Sequence, residues 1–154
     1  MVTIRVFFYN EATHMKSSIT INCSQKKFLP LVRVVRTVLT LSLAKLKKTE
    51  VALELYLVSN KEMKTLNRTF RGKDVPTNVL SFEAKEFPRA DVGKQHYLGE
   101  IYLAPDFIKA KEEDIKLLTV HGLLHLFEYT HAKKSDRMRM ERAEDRLLAR
   151  TVRK

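Results

Sequence analysis

One stretch organises this chain: residues 120–131, which read Val-His-Gly-Leu-Leu-His-Leu-Phe-Glu-Tyr-Thr-His. Residues four apart lie on one face of a helix, so His121 and His125 can aim their ring nitrogens at a single point. His131 can supply a third nitrogen if the helix ends near Glu128 and the chain turns back. Three imidazoles leave one coordination position open, which is typical of catalytic rather than closed structural zinc sites.

The first two histidines match the helical zinc-hydrolase pattern His-Glu-x-x-His, except that Gly122 occupies the glutamate position. A lone histidine on an apolar helix is more often a hydrogen-bonded core residue, but the joint spacing of three favours a metal site. Gly122 either allows another element to pack closely or leaves room beside the metal. In both cases, the usual protease base is missing. Neutral imidazole suits zinc, nickel, copper and iron alike, so the ligands do not identify the metal.

Composition and charge narrow the class of protein. The 154 residues, 44% hydrophobic and 31% charged, indicate a single globular domain over residues 1–154. The net charge of +11 favours a polyanionic partner, RNA or ribosomes ahead of anionic membranes, although charges that serve only solubility are the alternative.

Localisation and cysteine chemistry follow from what the sequence lacks. No apolar run approaches the roughly 18 residues that span a bilayer, and the first residues do not have the layout of a signal peptide. The single cysteine, Cys23, excludes an internal disulfide and a cysteine-rich zinc ribbon. We therefore expect a cytoplasmic protein with no membrane association.

Apolar periodicity predicts alternating strands and helices. Strands are expected over residues 2–9, 19–21, 51–58, 78–82 and 98–103. Helices are expected from Gln25, after a capping box at Ser59, after Pro105 in two pieces, and after Ser135 as N-cap. An exposed loop is expected over 83–97. This order predicts an α/β (α+β) fold, in which a small, mostly parallel mixed sheet of about four strands is layered with helices and a zincin-like histidine helix.

Two basic clusters have no assignment from spacing alone. Asn67, Arg68, Arg71 and Lys73 surround a Phe-Arg-Gly turn and read most simply as a surface loop. Arginines at 139, 142, 146, 150 and 153 follow one helix face. That face is either solvated and partly paired with Glu141 and Asp145, or a groove that tracks a phosphate backbone. His14 and His96 are expected at the surface.

Three ordered blocks resemble the YbeY family of rRNA-maturation endoribonucleases. They are His-Gly-Leu-Leu-His-Leu at 121–126 followed by His131, the block Leu-Asn-Arg-Thr-Phe-Arg-Gly-Lys-Asp-Val-Pro-Thr-Asn-Val-Leu-Ser-Phe at 66–82, and Leu-Gly-Glu-Ile at 98–101. The resemblance covers most of the chain from about residue 55 to residue 148.

The resemblance implies a site and an activity. His121, His125 and His131 would hold one divalent transition ion, zinc before nickel or another metal. Arg71 would lie near the metal as a catalytic residue and contact RNA, with Lys73 and Asn67 in substrate binding.

The implied activity is single-strand-specific hydrolysis of RNA in 16S rRNA 3′-end maturation and ribosome quality control. The partners would be the 16S rRNA precursor in the small ribosomal subunit and ribosome-assembly factors, with a monomer as the default state. A metal-dependent peptidase-like hydrolase and a non-catalytic, basic ribosome-assembly RNA binder are the alternatives.

The chain departs from the family pattern beside the third histidine. Glu128 stands where the family has glycine, and Thr130 where it has aspartate. Because glycine adopts positive φ without steric cost, a glutamate there predicts a mildly strained turn. The placement of His131 therefore depends on Glu128.

Overall fold

The computed structural model describes residues 1–10, 15–86 and 95–149. Strands in these residues form one sheet: β1 (Val2–Asn10), β2 (Met15–Cys23), β3 (Val51–Leu57), β4 (Val79–Glu83) and β5 (His96–Leu103). Their order across the sheet is β1-β2-β3-β5-β4. β2, β3 and β5 run parallel, whereas β1 and β4 pair antiparallel at the two edges. The predicted fold class is confirmed, with five strands in place of about four.

β2 is the strand that sequence periodicity underestimates. The expected strand 19–21 extends over Met15–Cys23, because polar residues alternate with the apolar ones along it. Ile19 and Ile21 are fully buried in the core, while Ser18 and Thr20 point to the other face and are buried between neighbouring strands. Polar side chains at sheet positions hide a strand from an apolar pattern.

Five helices lie in the described ranges: α1 (Leu29–Lys45), α2 (Asn60–Arg71), α3 (Pro105–Ala110), α4 (Ile115–Leu126) and α5 (Lys134–Leu148). Short 3-10 turns cover Lys26–Phe28 and Ala84–Glu86. The second turn and the start of β5 replace the ends of the expected loop 83–97, whose residues 87–94 lie outside the described ranges. His14 lies outside them too. None of the described helices is both long and apolar enough to cross a bilayer.

Local capping chemistry explains where two helices begin. The Ser59 hydroxyl accepts the Glu62 N–H at 3.2 Å, and the Glu62 carboxylate accepts the Ser59 N–H at 2.8 Å, as the capping box predicts. The expected N-cap at Ser135 is wrong, because α5 begins at Lys134 after Lys133. There, the Asp136 carboxylate accepts the Lys133 N–H at 3.3 Å and closes the helix end two residues earlier.

The core lies between one face of the sheet and the helices α1 and α4. Leu39 and Leu43 of α1 and Leu123 of α4 are buried against β-strand residues such as Leu55 and Ile101. Each such side chain contributes about 1.5–3 kcal/mol relative to exposure. α5 covers the outer side of α4 through a second cluster, which contains Met140, Ala143 and Leu147. The histidine helix is therefore buried on most sides.

Candidate metal centre

Three histidine nitrogens meet at one point. The Nε2 atoms of His121 and His125 are 3.1 Å apart, those of His125 and His131 are 3.1 Å apart, and those of His131 and His121 are 3.2 Å apart. Four-coordinate zinc with Zn–N distances of 2.0–2.1 Å places its nitrogens about 3.3 Å from one another. Three imidazole nitrogens that face one centre bring their lone pairs together, and a shared cation relieves that repulsion. The donor set therefore fits a divalent metal ion.

The helix α4 holds the first two histidines rigidly. Its N-terminus is capped by the Asp114 carboxylate, which accepts the Lys116 N–H at 2.8 Å. On its inner face, a Cβ at Gly122 would lie 2.8 Å from Ile101 Cγ2 and 3.1 Å from Ser81 Oγ. The Ser81 hydroxyl donates to the Gly122 carbonyl at 3.0 Å. Gly122 is thus a site of close approach between α4 and the sheet, which supports the packing interpretation of this residue.

A left-handed turn places the third histidine. Glu128 has φ of +64°, so the predicted positive-φ turn is confirmed. The Glu128 N–H donates to the His125 carbonyl at 2.9 Å, and the Tyr129 N–H donates to the Leu124 carbonyl at 3.1 Å. This pair of bonds is the Schellman arrangement, in which glycine is the usual left-handed residue. The turn reverses the chain within a few residues and brings His131 back to the helix pair.

Glu144 is a member of the site that sequence reasoning missed. Its carboxylate Oε1 lies 2.6 Å from His121 Nδ1, and its side chain is only 12% exposed. A carboxylate on Nδ1 fixes the imidazole tautomer, so that the lone pair of Nε2 points to the shared centre. Glu144 lies on α5, 23 residues after His121, and no local spacing links the two residues.

Burial keeps two of the histidines neutral. Desolvation, and secondly the nearby His131, lower the pKa of His121 from 6.5 to about 4. Desolvation, His121, His131 and the charge of Arg71 lower the pKa of His125 to about 4, against a hydrogen bond to the backbone of Tyr129 that raises it. Burial also raises the pKa of the Glu144 carboxyl. Neutral imidazoles at pH 7 are the form that binds metals.

The histidines lie on the wall of a cleft of about 570 Å³, and Asn67, Arg71 and Lys73 line the same cleft. Arg71 and Lys73 are exposed, whereas Asn67 is buried. Sequence reasoning did not select Thr77, Ser81 and Glu83, which also line it. Thr77 follows the glycine turn, and Ser81 and Glu83 lie on β4, so their place beside the histidines depends on the packing of α4 against β4.

A glycine turn brings the two basic side chains to the cleft. Gly72 has φ of +69° and caps α2, with its N–H donated to the Arg68 carbonyl at 3.1 Å. The Asn67 side-chain amide donates to the Val75 carbonyl at 2.8 Å and holds the loop beyond the turn. Asn67 therefore both borders the cleft and positions the loop. Of the remaining residues in that basic cluster, Arg68 is turned to Asp74 at 3.6 Å.

Comparison with known proteins identifies the family. The model of the family described as Endoribonuclease YbeY matches residues 19–152. The chain belongs to the YbeY endoribonuclease family. An Endoribonuclease YbeY of Ehrlichia canis (strain Jake) is 33% identical over 144 residues, which cover 84% of this chain and 90% of that protein.

Other members of the YbeY family match over a shorter span. The Endoribonuclease YbeY of Francisella tularensis subsp. novicida is 39% identical over 105 residues, covering 62% of this chain and 64% of that protein.

The solution structure of TM1509 from Thermotoga maritima has a TM-score of 0.50 and 26% identity, and the match covers 86% of this chain and 90% of that one. The fold is therefore shared with a solved structure.

Two of the three YbeY-like sequence blocks line the cleft, and the third packs beside them. Residues 66–82 form the end of α2, the glycine turn and β4, and residues 98–101 lie in β5 beside β4. Residues 121–131 form α4 and its closing turn, and α4 packs against both strands. His96, at the start of β5, lies outside the histidine cluster and is exposed.

Proposed function

We propose that this protein is a metal-dependent endoribonuclease that cleaves single-stranded RNA at the histidine cleft. One observation carries the proposal: three imidazole nitrogens within 3.2 Å of one another share a cleft with two exposed cationic side chains, Arg71 and Lys73. A metal site next to cations suits a phosphodiester, whose negative charge increases in the transition state. Membership of the YbeY family supports the same substrate class.

Arg71 is the proposed catalytic contact to the phosphate. It forms no ion pair with a carboxylate of the described residues, and its charge is felt at His125. A free guanidinium can bind two phosphate oxygens at once and offset the charge that develops on them. Lys73 adds a second positive charge at the mouth of the cleft. Asn67 would support binding by holding the loop that carries Lys73.

The histidines and Glu144 prepare the metal position. His121, His125 and His131 would hold one divalent ion, for which we propose zinc because the ligands are imidazoles at tetrahedral spacing. When bound, such an ion polarises a phosphoryl oxygen and activates water near neutral pH. Glu144 would keep the His121 ring in the ligating tautomer. The open side of the cluster faces the cleft, where the scissile phosphate would lie.

The finer assignment rests on the family and the charge. We propose that the cellular substrate is the 3′ end of the 16S rRNA precursor, met in the cytoplasm on the small ribosomal subunit with its assembly factors. The net charge of +11 supports binding to such a polyanion. A peptidase function is disfavoured, because Gly122 supplies no base and faces the sheet.

The test combines metal content with RNA cleavage. Purified wild type, His121→Ala and the exposed control Lys109→Ala are analysed by elemental mass spectrometry. Each is then incubated with matched single-stranded and duplex rRNA fragments and with an unstructured peptide. We expect the wild type and the control to contain metal and to cut the single strand, whereas His121→Ala does neither.

Two results would contradict the proposal. If metal-replete wild type leaves single-stranded RNA intact, the protein would instead be a non-catalytic RNA binder. Cleavage of the peptide, lost in His121→Ala, would instead identify a peptidase.

A further inference from the structure

The arginine face of α5 forms a groove that the metal centre does not use. Arg139, Arg142 and Arg146 are exposed and line a groove of about 400 Å³ together with Tyr129. Steps of three and four residues place the three arginines along one flank of the helix. Glu144, which contacts His121, projects from the other flank of the buried Met140 face. Arg150 and Arg153, the remaining members of the row, lie outside the described residues.

Among the described residues, these three guanidinium groups have no carboxylate partner. Within residues 1–10, 15–86 and 95–149, the ion pairs at 4.0 Å or less involve other residues, so the partial pairing with Glu141 and Asp145 is not formed. Three like charges in one groove repel one another unless an anion binds between them. A regularly spaced row of cations matches the repeating phosphates of a nucleic-acid strand.

Tyr129 adds an aromatic surface to the groove. The Arg139 guanidinium lies 5.0 Å from the centre of the Tyr129 ring, and Tyr129 is only partly buried. Grooves that bind single strands combine cations along the backbone with aromatic rings on which bases stack. Arg139 and Tyr129 together provide both features at one end of the arginine row.

The groove connects to the metal cleft through a third cleft. This connecting cleft of about 640 Å³ is lined by Tyr129 and Arg139, which it shares with the groove, and by Glu83. Glu83 also lines the metal cleft. Lys85 lies between them, 2.7 Å from the Glu83 carboxylate and 3.4 Å from Glu128, so it offsets the acidic charge at the junction. Through these shared lining residues, each cleft borders the next.

We propose that a single-stranded RNA bound at the metal cleft continues through the connecting cleft and places its outlying phosphates against Arg142 and Arg146. The proposal rests on the proposed function for the identity of the polyanion. It gives the protein a second RNA-binding subsite, distinct from the residues that surround the metal. Affinity should then increase with strand length, because only a longer strand reaches both the metal cleft and the groove.

Binding as a function of length and salt tests this path. The Arg142→Gln/Arg146→Gln variant is compared with wild type on 2′-O-methyl RNA of about 4 and about 16 nucleotides, the range that single-strand grooves span. Fluorescence anisotropy measures the dissociation constant of the metal-loaded protein, and a gel checks that the RNA is intact. We expect the gain in affinity from the short to the long strand to fall at least tenfold in the variant.

The salt dependence provides a second readout. Each lost phosphate contact reduces the steepness of the fall of log K with log salt by about 0.7 for a single strand, so two lost contacts should reduce it by about 1.4. The control Arg33→Gln/Lys61→Gln removes the same charge from exposed positions outside the three clefts. It should keep most of the length-dependent gain. Arg142→Lys/Arg146→Lys, which retains the charge, should restore most of the affinity.

Several outcomes would overturn the path. Equal losses in the glutamine variant and its control would reduce the effect to net charge, and an unchanged length dependence would exclude the groove. If the glutamine variant no longer binds anionic lipid vesicles that wild type binds, but still binds RNA normally, the arginine face would instead be assigned to a membrane. If wild type does not cleave RNA but binds it with this arginine dependence, the groove stands and the nuclease proposal fails. If wild type cleaves RNA and its binding does not depend on these arginines, the nuclease proposal stands and the groove fails.

Discussion

Two regions of this molecule hold a histidine for the same centre in different ways. His121 and His125 project from α4, which is packed between α1, α5 and the sheet. His131 follows a turn at the surface, and its side chain is exposed. The Nε2 atoms nevertheless lie within 3.2 Å of one another.

The difference lies in what fixes each side chain. For the helix pair, three features fix the side chains: the spacing of four residues, the close approach at Gly122 and the hydrogen bond to Glu144. For His131, the chain direction depends on a glutamate with φ of +64° and on two backbone hydrogen bonds. A metal centre can thus be built from a rigid pair and a third ligand whose position costs backbone strain. We therefore expect metal affinity to fall less when His131 is lost than when one histidine of the helix pair is lost.

Removing one histidine from each region tests this asymmetry directly. His125→Ala should weaken zinc affinity by more than about 100-fold, beyond the range for loss of an outer partner, because it breaks the preorganised pair. His131→Ala should weaken it less, since both helix ligands remain in place. Competition with a chromophoric chelator measures both constants. Equal losses would show that the turn is as rigid as the helix.

The carboxylate behind the helix pair should have the next largest effect. Glu144→Gln keeps a side chain of the same size but removes the charge next to His121, so zinc affinity should fall about 10- to 100-fold. The same chelator competition applies. Glu141→Gln, at an exposed position on the same helix, is the matched control and should change little. A normal affinity in Glu144→Gln would remove Glu144 from the metal site.

The close approach of α4 to the sheet predicts an effect of unusual sign. At an exposed helix position, Gly→Ala stabilises by about 1 kcal/mol. At Gly122 the added Cβ would lie 2.8 Å from Ile101 Cγ2, and such overpacking costs about 1–3 kcal/mol. We expect Gly122→Ala to lower the free energy of unfolding by about 1 kcal/mol in urea titrations, with Lys116→Ala as the control. A gain in stability would show that the helix has room to move away.

Acidification should destabilise the metal-free protein through the helix pair. The pKa values of His121 and His125 fall from 6.5 to about 4 on folding, so the unfolded chain takes up protons first. The stability present above pH 6.5 should be lost as the pH falls towards 4. The raised pKa of Glu144 acts in the opposite direction and offsets part of this loss. Thermal unfolding in EDTA between pH 7 and pH 5 measures the trend, which should be weaker in His121→Gln.

The smallest effect concerns the strained turn. A residue with a Cβ in the left-handed region costs about 1–2 kcal/mol, and glycine loses some of that gain through its unfolded-state freedom. Glu128→Gly should therefore stabilise the protein by about 0.5–1 kcal/mol and leave His131 in place. Urea titration measures the change. Glu128→Ala removes the contact with Lys85 but keeps the Cβ, so it should bring no such gain.

Much of the fold could be predicted from apolar periodicity and from the residues that begin and end helices. The capping box at Ser59 and the break between α3 and α4 follow from local residue patterns, and both are present. Two features were missed for local reasons. Polar residues concealed most of β2, and the Asp136 carboxylate capped α5 before Ser135 could.

The linear chain alone specified the histidine spacing, the missing base at Gly122 and the unusual residue at 128, because each of these follows from the geometry of one helix and its end. Only the tertiary structure decided that Gly122 faces Ile101, that Glu144 reaches His121, and that Arg142 and Arg146 stay unpaired within the described residues beside Tyr129. These facts depend on how α5 and the sheet pack around α4. Packing joins residues far apart in sequence, and no local spacing records those contacts.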